Sequence, residues 1–137
     1  MTLTTTGPTG LWSCSVYYVV DDDFNLFFVS ESTTTHIQNT RRNSQVAVNI
    51  ADSSQKVTAK KIGLQIQGKV NEESNRSKLK TIVSMWNRVN PGLADVVNLK
   101  NIIHKVINSK VYRIRPTLIK LFNEALYGSE GFKVFKF

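Results

Sequence analysis

The feature that most constrains this chain is a strict period of two over residues 61–70, KIGLQIQGKV. Ile62, Leu64, Ile66 and Val70 fall on one side; Lys61, Gln65, Gln67 and Lys69 fall on the other. Only an extended strand with one buried and one wet face reads this way, because successive side chains of a strand point to opposite sides. The period recurs twice. Leu11 to Val20 places Trp12, Cys14, Val16, Tyr18 and Val20 on one face and Ser13, Ser15, Tyr17 and Val19 on the other. Gln45 to Ala51 places Val46, Val48 and Ile50 together. Leu26 to Ser30 is a second long strand, and the turn Asp21 to Asn25 joins it to the preceding strand as a hairpin. Leu3 to Thr6 is a further β-prone stretch, closed by the turn signal Gly7-Pro8-Thr9-Gly10.

The period changes once. Leu79, Ile82, Val83 and Trp86 recur at helical spacing, which predicts an amphipathic helix over 72–88. Asn71 is its expected N-cap, and Glu72 and Glu73 are expected in the first turn, where the helix dipole favours negative charge. Asn90-Pro91-Gly92 breaks the pattern, and 93–107 reads as helical with Leu99, Ile102, Ile103 and Val106 as its stripe. Strand character returns over 110–116, 118–122 and 132–137. Hairpin-linked strands with one apolar face favour a closed antiparallel barrel over a parallel α/β sheet. The expected fold class is therefore mainly β, an antiparallel barrel with helical inserts. With no repeat and no linker, residues 1–137 are expected to form a single domain.

Eighteen Lys and Arg against ten Asp and Glu give a formal charge of +8. That excess suits anionic partners such as phosphorylated cofactors, nucleotides or nucleic acid, and equally suits a lysine-rich surface with no partner. The basic residues are spread along the chain rather than gathered in a block. No apolar run approaches the ~18 residues of a membrane span, and the N-terminus lacks the basic and apolar regions of a signal peptide. The single Cys14 excludes an intrachain disulfide and fits a reducing compartment. A cytoplasmic protein with no membrane partner is expected.

Residues 30–48, SESTTTHIQNTRRNSQVAV, join two strands through a segment that is rich in hydroxyls first and basic last. Thr33 to Asn43 is predicted to be a short helix. A helix N-terminus presents unpaired N–H groups and partial positive charge, so it favours an anion. Thr33, Thr34 and Thr35 could add hydroxyl donors, and His36, Arg41 or Arg42 could add charge. An ordinary capped surface helix would carry the same residues.

In this order and spacing the segments SVYYVVDDDFNLFFVSES, TTTHIQNTRRNSQVAV, GLQIQGKVNE and VYRIRPTLIKLF resemble the FMN-binding split barrels, the pyridoxamine 5'-phosphate oxidase-like family, and in particular its small bacterial members. The likeness runs over residues 2–122 or beyond. It implies a homodimer with FMN, another flavin or a deazaflavin in clefts between subunits, and a flavin-dependent oxidoreductase of unknown substrate and electron donor. It also implies that the flavin phosphate lies at the start of the helix after the hairpin, with Thr34 at the family's hydroxyl position, His36 at its cationic position and Asn39 at its Asn. His36 stands where the family carries Lys or Arg. The sequence opens almost on the first strand, where family members carry a helix, and WSCSVYY replaces an Arg-containing run of the true pyridoxamine-phosphate oxidases. Oxidation of pyridoxamine phosphate is therefore not the expected activity.

The resemblance makes Ser13, Ser15, Ser30, Glu31, Thr34, Thr35, His36, Lys61 and Gln65 the candidate cofactor-binding residues. For the strand residues Ser13, Ser15, Lys61 and Gln65, a solvated sheet face explains the same composition. Cys14 reads as a core thiol. Asp21-Asp22-Asp23 lacks the Gly and distal Glu of a calcium loop and reads as a turn. No catalytic acid, base or nucleophile can be assembled from motifs, and two His with one Cys make a zinc site improbable. A non-enzymatic flavin- or haem-binding module is the alternative, with His36 and His104 as the histidines available to haem. A barrel binding single-stranded nucleic acid would need aromatics on a basic strand face; Trp12, Tyr18 and Phe28 are expected to face the core instead.

Overall fold

A computed structural model describes residues 1–92, 94–95, 97–103, 108–128 and 131–137. The strands are β1 (Thr2–Gly7), β2 (Gly10–Ser15), β3 (Val19–Val20), β4 (Leu26–Glu31), β5 (Gln45–Ala51), β6 (Ile62–Glu72), β7 (Ser109–Asn123) and β8 (Phe132–Lys136). Helix α1 (Thr35–Arg42) follows β4, α2 (Arg76–Val89) and α3 (Leu99–Ile103) follow β6, and α4 (Glu124–Tyr127) lies between β7 and β8. All pairings are antiparallel, in the order β2-β1-β5-β6-β7-β4-β3, with β8 added on β7.

Chain length forces this sheet to curl. Six inter-strand spacings of about 4.8 Å would hold the outer strands of a flat sheet ~29 Å apart. Those outer strands, β2 and β3, are joined by residues 16–18 alone, a link that spans at most ~14 Å. The sheet must therefore wrap until its edges nearly meet. At the start of this link Val16 prolongs the β1–β2 ladder, its N–H bonded to the Met1 carbonyl at 2.9 Å and its carbonyl accepting from the Met1 amino group at 3.0 Å. Inside lie Leu3, Leu26, Phe28, Val46, Val48, Ile66, Val70, Ile114 and Ile119, with Ile37 of α1 closing one end. A second cluster sits outside the barrel, where Leu79, Ile82 and Trp86 of α2 cover Val19, Phe27 and Val111; Leu99 and Ile102 of α3 pack against it.

Several expectations change. The run from Leu11 to Val20 is not one strand: it breaks at 16–18 to cross the seam, and its alternation flips, so that Val19 is buried and Val20 exposed. Trp12 is 48% exposed rather than in the core, because it stands at the rim of the barrel beyond buried Thr5, its register partner. Asn71, Glu72 and Glu73 do not open a helix. Asn71 and Glu72 extend β6 against Arg113 and Tyr112, and Asn75 caps α2 by accepting from the amides of Ser77 and Lys78. The helix expected over 93–107 contains α3, Leu99–Ile103; Val106 and His104 lie outside the described residues. The two strands expected over 110–122 are one, β7, which carries Pro116 at a register shift opposite Gln67 and Gly68. A bulge there tolerates the missing N–H. No helix among the described residues is long and apolar enough to cross a membrane.

Candidate functional site

The site is built where β4 hands over to α1. Leu26, Phe28 and Ser30 alternate onto the inner face of β4, so Ser30 is the polar tip of a row whose other members are core. Helix α1 then turns His36 and Ile37 inward. His36 is only 9% exposed and lies 6.2 Å from the Phe28 ring. Its Nε2 is 2.8 Å from the Ser30 hydroxyl and 3.2 Å from the Thr34 hydroxyl, and those two hydroxyls are 3.1 Å apart. The Thr34 hydroxyl donates to the Glu31 carbonyl at 2.9 Å, so its oxygen is left as an acceptor towards Ser30 and His36. Thr34 occupies the N-cap position without a capping bond from its side chain, and among the described residues no side chain accepts from the first amides of α1. That leaves a polarised helix start lined by hydroxyls. Asn39 anchors the other side of α1 by donating to the buried Thr5 hydroxyl at 3.1 Å, and a Cβ at Gly7 would stand 2.1 Å from Asn39 Oδ1.

The charge at this end differs from the family pattern. Burial lowers the His36 pKa below its ordinary 6.5, which favours the uncharged ring. Arg41 and Arg42 are in the last turn of α1, ~9 Å along the axis from its start. Their place complements the negative end of the helix dipole rather than an anion at the positive end.

The candidate residues fall in three places. Ser30, Glu31, Thr34, Thr35 and His36 gather at the β4–α1 junction. Ser13, Ser15 and Gln65 lie on the outward face of the sheet. There the register aligns Ser15, Thr2, Asn49, Gln65 and Lys120 in one polar row across five strands, with Ser13, Thr4, Ala47, Gln67 and Leu118 beside it. Ser13 and Thr4 hydroxyls are 3.2 Å apart, and hollows of about 490 and 430 Å³ adjoin along Thr4, Ala47 and Gln67. Thr2, Asn49 and Lys120 escaped sequence reasoning, since only strand pairing brings them beside Ser15 and Gln65. Lys61 stands apart. Its ammonium donates to the carbonyls of Lys56, Val57 and Ala59, the latter two at 2.8 and 2.6 Å, which ties down the loop before β6. Asp21 likewise serves its turn, accepting from the backbone of Asp23 and Asn25.

No family model and no curated protein matches the sequence. Solved structures match in fold. A haem-binding protein from Mycobacterium smegmatis superposes with a TM-score of 0.76 at 12% identity, over 98% of this chain and 51% of that one; this chain thus spans about half of its length. HutZ, the haem storage protein of Vibrio cholerae, gives 0.67 at 14% identity over 84% and 79%. A Listeria innocua protein provisionally named pyridoxamine 5'-phosphate oxidase gives 0.65 at 19% identity over 88% and 85%. The antiparallel sheet with its helices is a split barrel of the pyridoxamine-phosphate-oxidase kind.

Proposed function

We propose that residues 1–137 are one FMN-binding domain, a cytoplasmic homodimeric oxidoreductase that does not oxidise pyridoxamine phosphate. The observation that carries this reading is the uncapped start of α1, with the Ser30 and Thr34 hydroxyls beside it. Backbone amides and the positive end of a dipole suit a phosphate even without a cationic side chain, and the Thr34 hydroxyl would donate to it by turning from the Glu31 carbonyl. The outward polar row through Ser15, Asn49 and Gln65 offers hydrogen-bonding groups suited to the rim of a flat ring, and two hollows adjoin on the same face. When bound, flavin supplies the electron transfer; the chain's part is to hold and orient it.

Absorbance of the protein purified without added cofactor, followed by titration with FMN and with riboflavin, tests this. FMN is expected to bind tighter than riboflavin. Thr34→Val should weaken FMN about tenfold and leave riboflavin unchanged, since a hydrogen bond to a charged group contributes ~1.5–3 kcal/mol. A colourless protein that takes up neither sinks the proposal.

Haem is the second reading, supported by the two haem-binding neighbours. His36 serves it poorly, with its Nε2 turned to two hydroxyls. A Soret band in place of flavin absorbance would decide for haem.

A further inference from the structure

The last turn of α1 faces the end of β6 and the start of β7, and a cleft of about 140 Å³ opens between them, lined by Thr40, Arg41, Asn71, Glu72 and Tyr112 among others. Tyr112 is 4% exposed and stacked on Phe28 at 5.5 Å, yet its hydroxyl has no hydrogen-bond partner among the described residues. Leaving such a group buried and unmet costs ~1–3 kcal/mol. The Arg41 guanidinium is likewise neither hydrogen-bonded nor ion-paired within the described residues, although its charge reaches the Tyr112 phenol.

The other polar groups of the cleft are mostly committed. Lys110 holds both oxygens of Glu72, at 2.8 and 2.9 Å, and the Thr40 hydroxyl donates to the Ile37 carbonyl at 2.9 Å. What remains is a pair of donors, the Tyr112 O–H and the Arg41 fork. Donors without an acceptor call for an anion. The planar fork of arginine matches a carboxylate, and the nearby charge of Glu72 disfavours a dianion such as phosphate. We infer that this cleft binds the carboxylate of a small organic acid, held by the Arg41 guanidinium and the Tyr112 hydroxyl. The inference is independent of flavin binding.

The test is the thermal midpoint and calorimetric titration of the full chain in sodium acetate, chloride and phosphate at equal ionic strength, with no flavin added. Acetate alone is expected to raise the midpoint saturably. Arg41→Gln, at an exposed position, should abolish the effect, and Tyr112→Phe, which removes one oxygen from a buried ring, should weaken acetate about tenfold. A midpoint that tracks ionic strength alike in all three salts overturns the inference. So does tighter binding of phosphate, or undiminished acetate binding by either variant; the latter in Tyr112→Phe would mean that water satisfies the hydroxyl.

Discussion

Strands β4 and β8 pair with the same edge of β7, β4 along residues 109–114 and β8 along 118–122, and both are rich in Phe and Val. Their fates are opposite. In β4, Leu26 and Phe28 enter the barrel while Phe27 goes under α2, so the strand is buried on both faces. In β8 every residue is exposed; the Lys120 ammonium rests 4.1 Å from the centre of the Phe132 ring, and Phe137 meets Phe24 at 6.0 Å. Apolar content does not decide burial here. What decides it is whether a second layer lies over each face of the strand: α2 covers the outer face of β4, whereas no residue of β8 belongs to either core cluster.

The sharpest way to break this contrast is truncation on each strand. Phe28→Ala should cost about 3–5 kcal/mol in chemical denaturation, and a loss below ~1 kcal/mol would mean that β4 is not the keystone it looks. Next comes the point where β7 changes neighbours, Pro116 opposite Gly68. A Cβ at Gly68 would stand 2.7 Å from the Arg115 carbonyl oxygen and 2.9 Å from Ile114 Cγ2. Gly68→Ala is expected to cost about 1–3 kcal/mol, and amide exchange should quicken on both sides of the bulge.

The contrast also has a pH dependence. His36 is buried beside Phe28, and its pKa is lowered by desolvation. The unfolded chain therefore takes up a proton near pH 6.5 that the folded chain resists. Its stabilising effect is complete above about pH 6.5 and is lost as pH falls towards the lowered folded value. Denaturation midpoints should drop over that window in the wild type and less in His36→Asn; equal slopes would refute the burial. The smallest effect belongs to β8: Phe135→Ala should stay within about 0.5 kcal/mol, and a larger loss would reveal a covering layer over that strand.

Much of the fold was legible because burial on one face writes itself as a period. Gln45–Ala51 was read to the residue, and α1 is shorter than the expected Thr33 to Asn43 by two residues at its start and one at its end. At the candidate site, the hydroxyl-first, basic-last order of residues 30–48 was visible, but its meaning divided. The threonines belong to the helix start and the arginines to its opposite end, because the dipole places them so.

By itself, then, the sequence determined the strands and helices whose pattern is local, and the residue types available at the β4–α1 junction. Only the tertiary structure decided the rest. It broke the run from Leu11 to Val20 at the barrel seam, joined Ser15 to Gln65 through Thr2 and Asn49, turned Lys61 onto its own loop and left Trp12 exposed. Alternation records that a strand has two unlike faces. It carries no record of which strand lies alongside or of what covers each face, since both are set by residues distant in the chain.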